Sequence, residues 1–139
     1  MKRILLASTS TVYGGTYLSY LQDELIDFFT RIDEILFVPY ARPSGITHDE
    51  YTQIAQQFFS GVGKSIVGLH TFADPKKAIR QAKAIFTGGG NTFVLVNQLY
   101  GLEVMDVLRE AVENGTLYMG TSAGSNIAGQ NYQDRKSVV

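Results

Sequence analysis

The stretch 84-AIFTGGGNTFVLVNQLYGLEVMDVLREAVENGTLYMGTSAG-124 decides the fold. Ala84-Ile85-Phe86-Thr87 is a short apolar run, the pattern of a strand buried on both faces. It runs straight into three glycines, Gly88 to Gly90. Helical spacing then takes over through Phe93, Leu95, Val96 and Leu99, and Gly101 stops it. A second helix is predicted from Leu102 to Glu113, with Val104, Val107, Leu108, Ala111 and Val112 as its apolar face. Asn114-Gly115 turns the chain, and Thr116-Leu117-Tyr118-Met119 is another strand. Strand, helical crossover and strand make a parallel unit, because parallel neighbours cannot be joined by a tight turn.

The same alternation extends toward the N-terminus. Arg3 to Ala7 reads as a strand, and Tyr17, Leu18, Leu21, Leu25, Phe28 and Phe29 mark a helix face between Thr16 and Phe29. Glu34 to Val38 is a strand ended by Pro39. Thr47 and Glu50 have capping-box spacing and open a helix carrying Tyr51, Ile54, Ala55, Phe58 and Phe59, which stops at Gly61. Ser65 to Leu69 is a strand, and Asp74-Pro75 caps a short helix (75–83) that turns Ala78, Ile79 and Ala82 inward. The predicted fold is α/β, a mostly parallel sheet with helices on both faces. Strand order is not legible, but the ligand side is: loops 39-PYARPSG-45, 87-TGGGNT-92 and 120-GTSAGS-125 follow carboxyl ends of strands.

Composition bounds the function. The chain's 139 residues suffice for one domain, and 45% hydrophobic with 18% charged residues is the balance of a soluble globular protein. A net charge of -1 gives no electrostatic case for nucleic acid or an anionic membrane. The absence of cysteine removes disulfides and thiol catalysis, and it fits a cytoplasmic protein. The start MKRILLASTSTVYGG is basic and then apolar, but Ile4 to Ala7 is too short for a signal sequence, and no run approaches the ~20 apolar residues of a membrane span. Two separated histidines offer no metal-ligand spacing, so neither metal nor cofactor is expected.

Ser122 stands in Gly120-Thr121-Ser122-Ala123-Gly124, a G-x-S-x-G pattern. Such a serine can stand on a strained strand-to-helix turn with its hydroxyl projecting, and the glycines let strand and helix close on each other. The bare pattern arises by chance in roughly 5 of 100 chains of this length, so the preceding strand and following helix carry the argument. A small residue in a Gly-rich turn is the plainer alternative. The Gly88-Gly89-Gly90-Asn91 loop has three readings: an oxyanion hole shared with the amide of Ala123, a phosphate nest, or a tight turn with Asn91 as helix cap. His48 lies in the capping box and His70 ends a strand, where packing is the commoner role. Asp23, Glu24 and Asp27 read as solvated, Asp49 and Glu50 as capping residues, and Arg42 as a solvated loop cation that a substrate carboxylate would meet in the less common case.

The runs ILLAST, FVPYA, DEYT, GLHTFADP, IFTGGGNTF and LYMGTSAGSNIAG, in this order, resemble peptidase E, the α-aspartyl dipeptidase family of serine peptidases. The resemblance covers residues 2 to about 129. It implies a fold similar to class I glutamine amidotransferases and hydrolysis of dipeptides with an N-terminal aspartate. It also implies an acyl-enzyme on Ser122, with oxyanion donors at Gly90 and Ala123 in a site loop of Gly88, Gly89, Asn91, Gly120 and Gly124. The family's histidine at the position of His70 is not the catalytic one. Its catalytic histidine and acidic partner lie in a later segment, whereas this sequence runs 130-QNYQDRKSVV-139, which does not resemble the family there. The expectation is a 1–129 domain holding the N-terminal portion of the fold, an atypical tail (130–139), and little activity in the chain by itself. An uncovered sheet edge would favour self-association. Hydrolysis of another aspartyl compound and a non-catalytic phosphate- or nucleotide-binding module are the alternatives.

Overall fold

A computed structural model of the chain describes residues 3–7, 22–42, 46–124 and 127. Five strands, β1 (Arg3–Ala7), β2 (Glu34–Val38), β3 (Ser65–Gly68), β4 (Ala84–Thr87) and β5 (Leu117–Thr121), form one sheet in the order β1-β5-β4-β2-β3. Every pairing is parallel. Among the described residues five α-helices connect them: α1 (Gln22–Phe28), α2 (His48–Ser60), α3 (Pro75–Gln81), α4 (Thr92–Gly101) and α5 (Met105–Glu113). The N-terminal part of the expected first helix (16–21), part of the loop after β2 (43–45) and the tail (130–139) lie outside the described residues.

The sheet order explains the layering. From β1 through β2 to β3 the chain steps one way across the sheet, and from β3 through β4 to β5 it steps back. Crossovers of one hand therefore put the first helices on one face and the later ones on the other. Leu25, Phe29, Tyr51, Ala55 and Phe59, from or beside α1 and α2, pack with Phe37, Phe86 and Met119. Ile79, Leu95, Leu99, Leu108 and Val112, from α3, α4 and α5, pack with Leu36, Val38, Ile85 and Tyr118. Successive strand residues thus feed opposite cores, as the two-residue period requires. The central strands β4 and β5 are buried throughout, as their unbroken runs predict.

Three readings are corrected. Phe93 is 82% exposed rather than on the inner face of α4, where Leu95 and Leu99 are packed, and Ile54 is also exposed. The second helix begins at Met105, not Leu102, because Glu103 turns the chain with φ 58. β3 stops at Gly68, and Leu69–Thr71 is a 3-10 turn carrying His70. Among the described residues no helix is long and apolar enough to cross a membrane.

Candidate active site

Neighbouring strands β2 and β4 send their following helices to opposite faces of the sheet. This is the switch point at which parallel sheets open a crevice beyond their carboxyl ends. The loop after β2, the Gly88–Gly90 loop after β4 and the turn after β5 meet at that rim.

Ser122 is the first residue past β5 and has φ 50, a left-handed conformation that costs a non-glycine residue roughly 1–2 kcal/mol. The strain persists because the surroundings over-determine it. Tyr118, four residues earlier on β5, is fully buried and donates its hydroxyl to the Gly124 carbonyl at 2.8 Å. Burial pushes the Tyr118 phenol well up, which keeps it a donor. Gly124 itself presses on Thr87 of β4, where a Cβ would collide with the Thr87 carbonyl. Gly120 pairs with Thr87 across the β4–β5 register, and Ala123 is fully buried.

The Gly-rich loop comes up beside the serine. A Cβ on Gly89 would stand 2.7 Å from that of Ser122, so only glycine fits there. The loop is anchored on the β2 side. Gly88 N–H donates to the Val38 carbonyl at 3.2 Å and Asn91 N–H to the Ala41 carbonyl at 2.7 Å. The Tyr51 hydroxyl donates to the Gly89 carbonyl at 3.1 Å. The Asn91 side chain caps α4, accepting from Val94 N–H at 3.1 Å. Gly90, between these anchors, has φ 147. Among the described residues the amides of Gly89 and Gly90 take no part in these backbone bonds.

Both histidines sit elsewhere. β3, which leads to His70, is three strand spacings from β5, about 14 Å. His48 is packed edge-on between Tyr40 (4.9 Å between ring centres) and His70 (5.6 Å). Its pKa is lowered by burial and by His70, with Asp49 opposing. The Asp49 carboxylate accepts from His70 Nε2 at 2.6 Å, so Nε2 carries the proton. This corrects the reading of Asp49 as a capping residue; Glu50 and Thr47 alone close the capping box. Arg42 is exposed, as expected of a loop cation, and its guanidinium also lies 5.1 Å from the centre of the Tyr51 ring. Among the described residues no group of three His, Cys, Asp or Glu is placed to hold a metal ion.

Sequence reasoning missed Tyr51 and Tyr118 as parts of the site. Each reads as a core aromatic, and its hydroxyl was the signal: a buried phenol needs an acceptor. The acceptors are carbonyls of the two glycine turns, which spacing alone does not reveal.

The chain has relatives among known proteins. A Drosophila melanogaster protein named "Probable alpha-aspartyl dipeptidase" is 42% identical over 130 residues, covering 91% of this chain and 53% of that protein. Peptidase E of Haemophilus influenzae is 44% identical over 133 residues, covering 93% and 60%. The chain thus spans little more than half the length of these curated relatives. A solved structure from Listeria monocytogenes EGD-e, 23% identical, matches 91% of this chain and 61% of its own with a TM-score of 0.69, and supports the fold. A peptidase from an acI-B1 Actinobacterium matches at 19% identity and a TM-score of 0.64, covering 88% of this chain and 55% of its own. The sequence model of peptidase family S51 matches residues 4–138, and the chain belongs to that family.

Proposed function

We propose that Ser122 is the nucleophile of a peptidase that cleaves small peptides bearing an N-terminal aspartate. The single observation that carries this is the left-handed Ser122 at the end of β5, held against Gly89 of the neighbouring loop. In this reading Ser122 Oγ attacks the carbonyl carbon while a base takes its proton. The N–H groups of Gly90 and Ala123 donate to the developing oxyanion. The peptide C–N bond breaks, the amine leaves with a proton, and water releases the acid from the acyl-serine. Gly88, Gly89, Asn91, Gly120 and Gly124 set the shape of the site. The aspartyl preference rests on the name of the Drosophila relative.

The base is the open element. The sequence contains two histidines, and both lie on the β2–β3 side. In this reading neither histidine serves as the base of Ser122, and the unaided turnover of the 139-residue chain is expected to be negligible. Added imidazole should replace the missing base in part. The test is release of nitroaniline from aspartyl-p-nitroanilide, with and without imidazole, by the wild type and by Ser122→Ala. Imidazole-dependent release that needs Ser122 supports the reading. Release that is equal in the two proteins rejects it, and strong Ser122-dependent release without imidazole rejects the absence of a base.

The competing phosphate-binding reading would draw on the same successive amides of Gly89 and Gly90, since those of Gly88 and Asn91 donate to backbone carbonyls. A nucleotide that raised the melting temperature, with no covalent labelling of Ser122, would favour it.

A further inference from the structure

The geometry points to Arg42 as a specificity-determining residue that takes a substrate carboxylate, an inference resting on the peptidase reading above. The loop after β2 runs along the start of α2. Tyr40 packs on His48 and Arg42 on Tyr51, two helix positions one turn apart. The residue before Arg42, Ala41, accepts from Asn91 N–H at 2.7 Å and lies against Gly90. Tyr51 is buried, and its hydroxyl donates to Gly89, the residue that abuts Ser122.

The exposed guanidinium is thus fixed from two sides, by its backbone on the Gly-rich loop and by its face on the Tyr51 ring. Both supports lead within one or two contacts to the nucleophile. Stacking on an aromatic face leaves the edge of the fork, with its N–H donors, for another partner. Among the described residues Arg42 has no carboxylate partner, and Asp49 of α2 is bonded to His70. Burial and the adjacent His70 lower the His48 pKa, which makes Arg42, not His48, the cation of this part of the rim at neutral pH. A permanently charged planar donor at the mouth of a serine site suits a carboxylate, bound through two parallel charge-assisted bonds. An aspartyl dipeptide offers two, on the side chain and at the C-terminus, at similar reach from the scissile carbonyl.

The experiment is an NMR titration of the 139-residue chain and of Arg42→Gln with Asp-Leu, Ala-Leu and Asp-Leu amide. Binding is read at the amides of Ala123 and Gly124. Arg42 is exposed, so its replacement leaves the core intact. Arg42→Gln is expected to weaken Asp-Leu by about ten- to a hundredfold. One of the two neutralised ligands should bind the wild type with the same loss and be indifferent to Arg42→Gln, which identifies the carboxylate. Arg42→Lys should restore only part of the affinity. Unchanged Asp-Leu affinity in Arg42→Gln, with shifts still present at Ala123 and Gly124, overturns the assignment of Arg42 and leaves the peptidase reading standing. The absence of any shift at Ala123 and Gly124 with all three ligands overturns both.

Discussion

Ser122 pays for its position with backbone strain, and that strain is measurable. Ser122→Ala and Ser122→Gly both remove the hydroxyl, but only glycine relaxes at φ 50. Ser122→Gly is therefore expected to be about 1 kcal/mol more stable than Ser122→Ala in urea unfolding. Equal stabilities would mean that the elbow is not strained. Tyr118 supplies the complementary test. Tyr118→Phe keeps the ring in the core and leaves the Gly124 carbonyl without its buried donor, so a loss of about 1–2 kcal/mol is expected. A neutral substitution would show that the turn holds without this bond. The serine was legible in the sequence because G-x-S-x-G followed a buried run. Its clamp was not, because Tyr118 looks like any other core residue until its acceptor is in place.

The elements that bear the site differ in how far the sequence revealed them. β4 and β5 read as continuous apolar runs and proved buried along their whole length. The capping box at Thr47 and Glu50 formed as its spacing predicts. The neighbouring Asp49 did not follow, because it is drawn across to His70 by a hydrogen bond that spans 21 residues of sequence. The burial of His48 governs how the start of α2 responds to acid. The His48 pKa is lowered from 6.5 in the folded protein, so the unfolded chain takes up its proton first as pH falls. Stability contributed by neutral His48 is present above 6.5 and is lost as pH falls through it, levelling off once the folded group also titrates. His48→Gln should flatten the dependence of unfolding free energy on pH between about 7.5 and 5.5. An identical slope in the variant would contradict the packing of His48 between Tyr40 and His70.

Across the molecule, the class of fold was legible and the arrangement was not. Alternating strand and helix patterns dictate a parallel sheet, but the order β1-β5-β4-β2-β3 depends on which strands meet, and local pattern is silent on that. The order is what matters for function. It sets β5 beside β4, so that Ser122 faces the Gly-rich loop, and it places β2 next, so that Arg42 and Tyr51 reach the same rim. It also carries His70 to the sheet edge formed by β3, away from the serine. On the proposed reading, one rim of the sheet thus carries the nucleophile Ser122, the Gly-rich loop beside it and Arg42.

The most direct test is covalent labelling. The 139-residue chain, incubated with a fluorophosphonate in the presence of imidazole, is digested and the modified peptide identified by mass spectrometry. The account predicts a single adduct on Ser122, formed faster as imidazole is raised and absent in Ser122→Ala. An adduct on another residue, or none on Ser122 at any imidazole concentration while the protein stays folded, would contradict it.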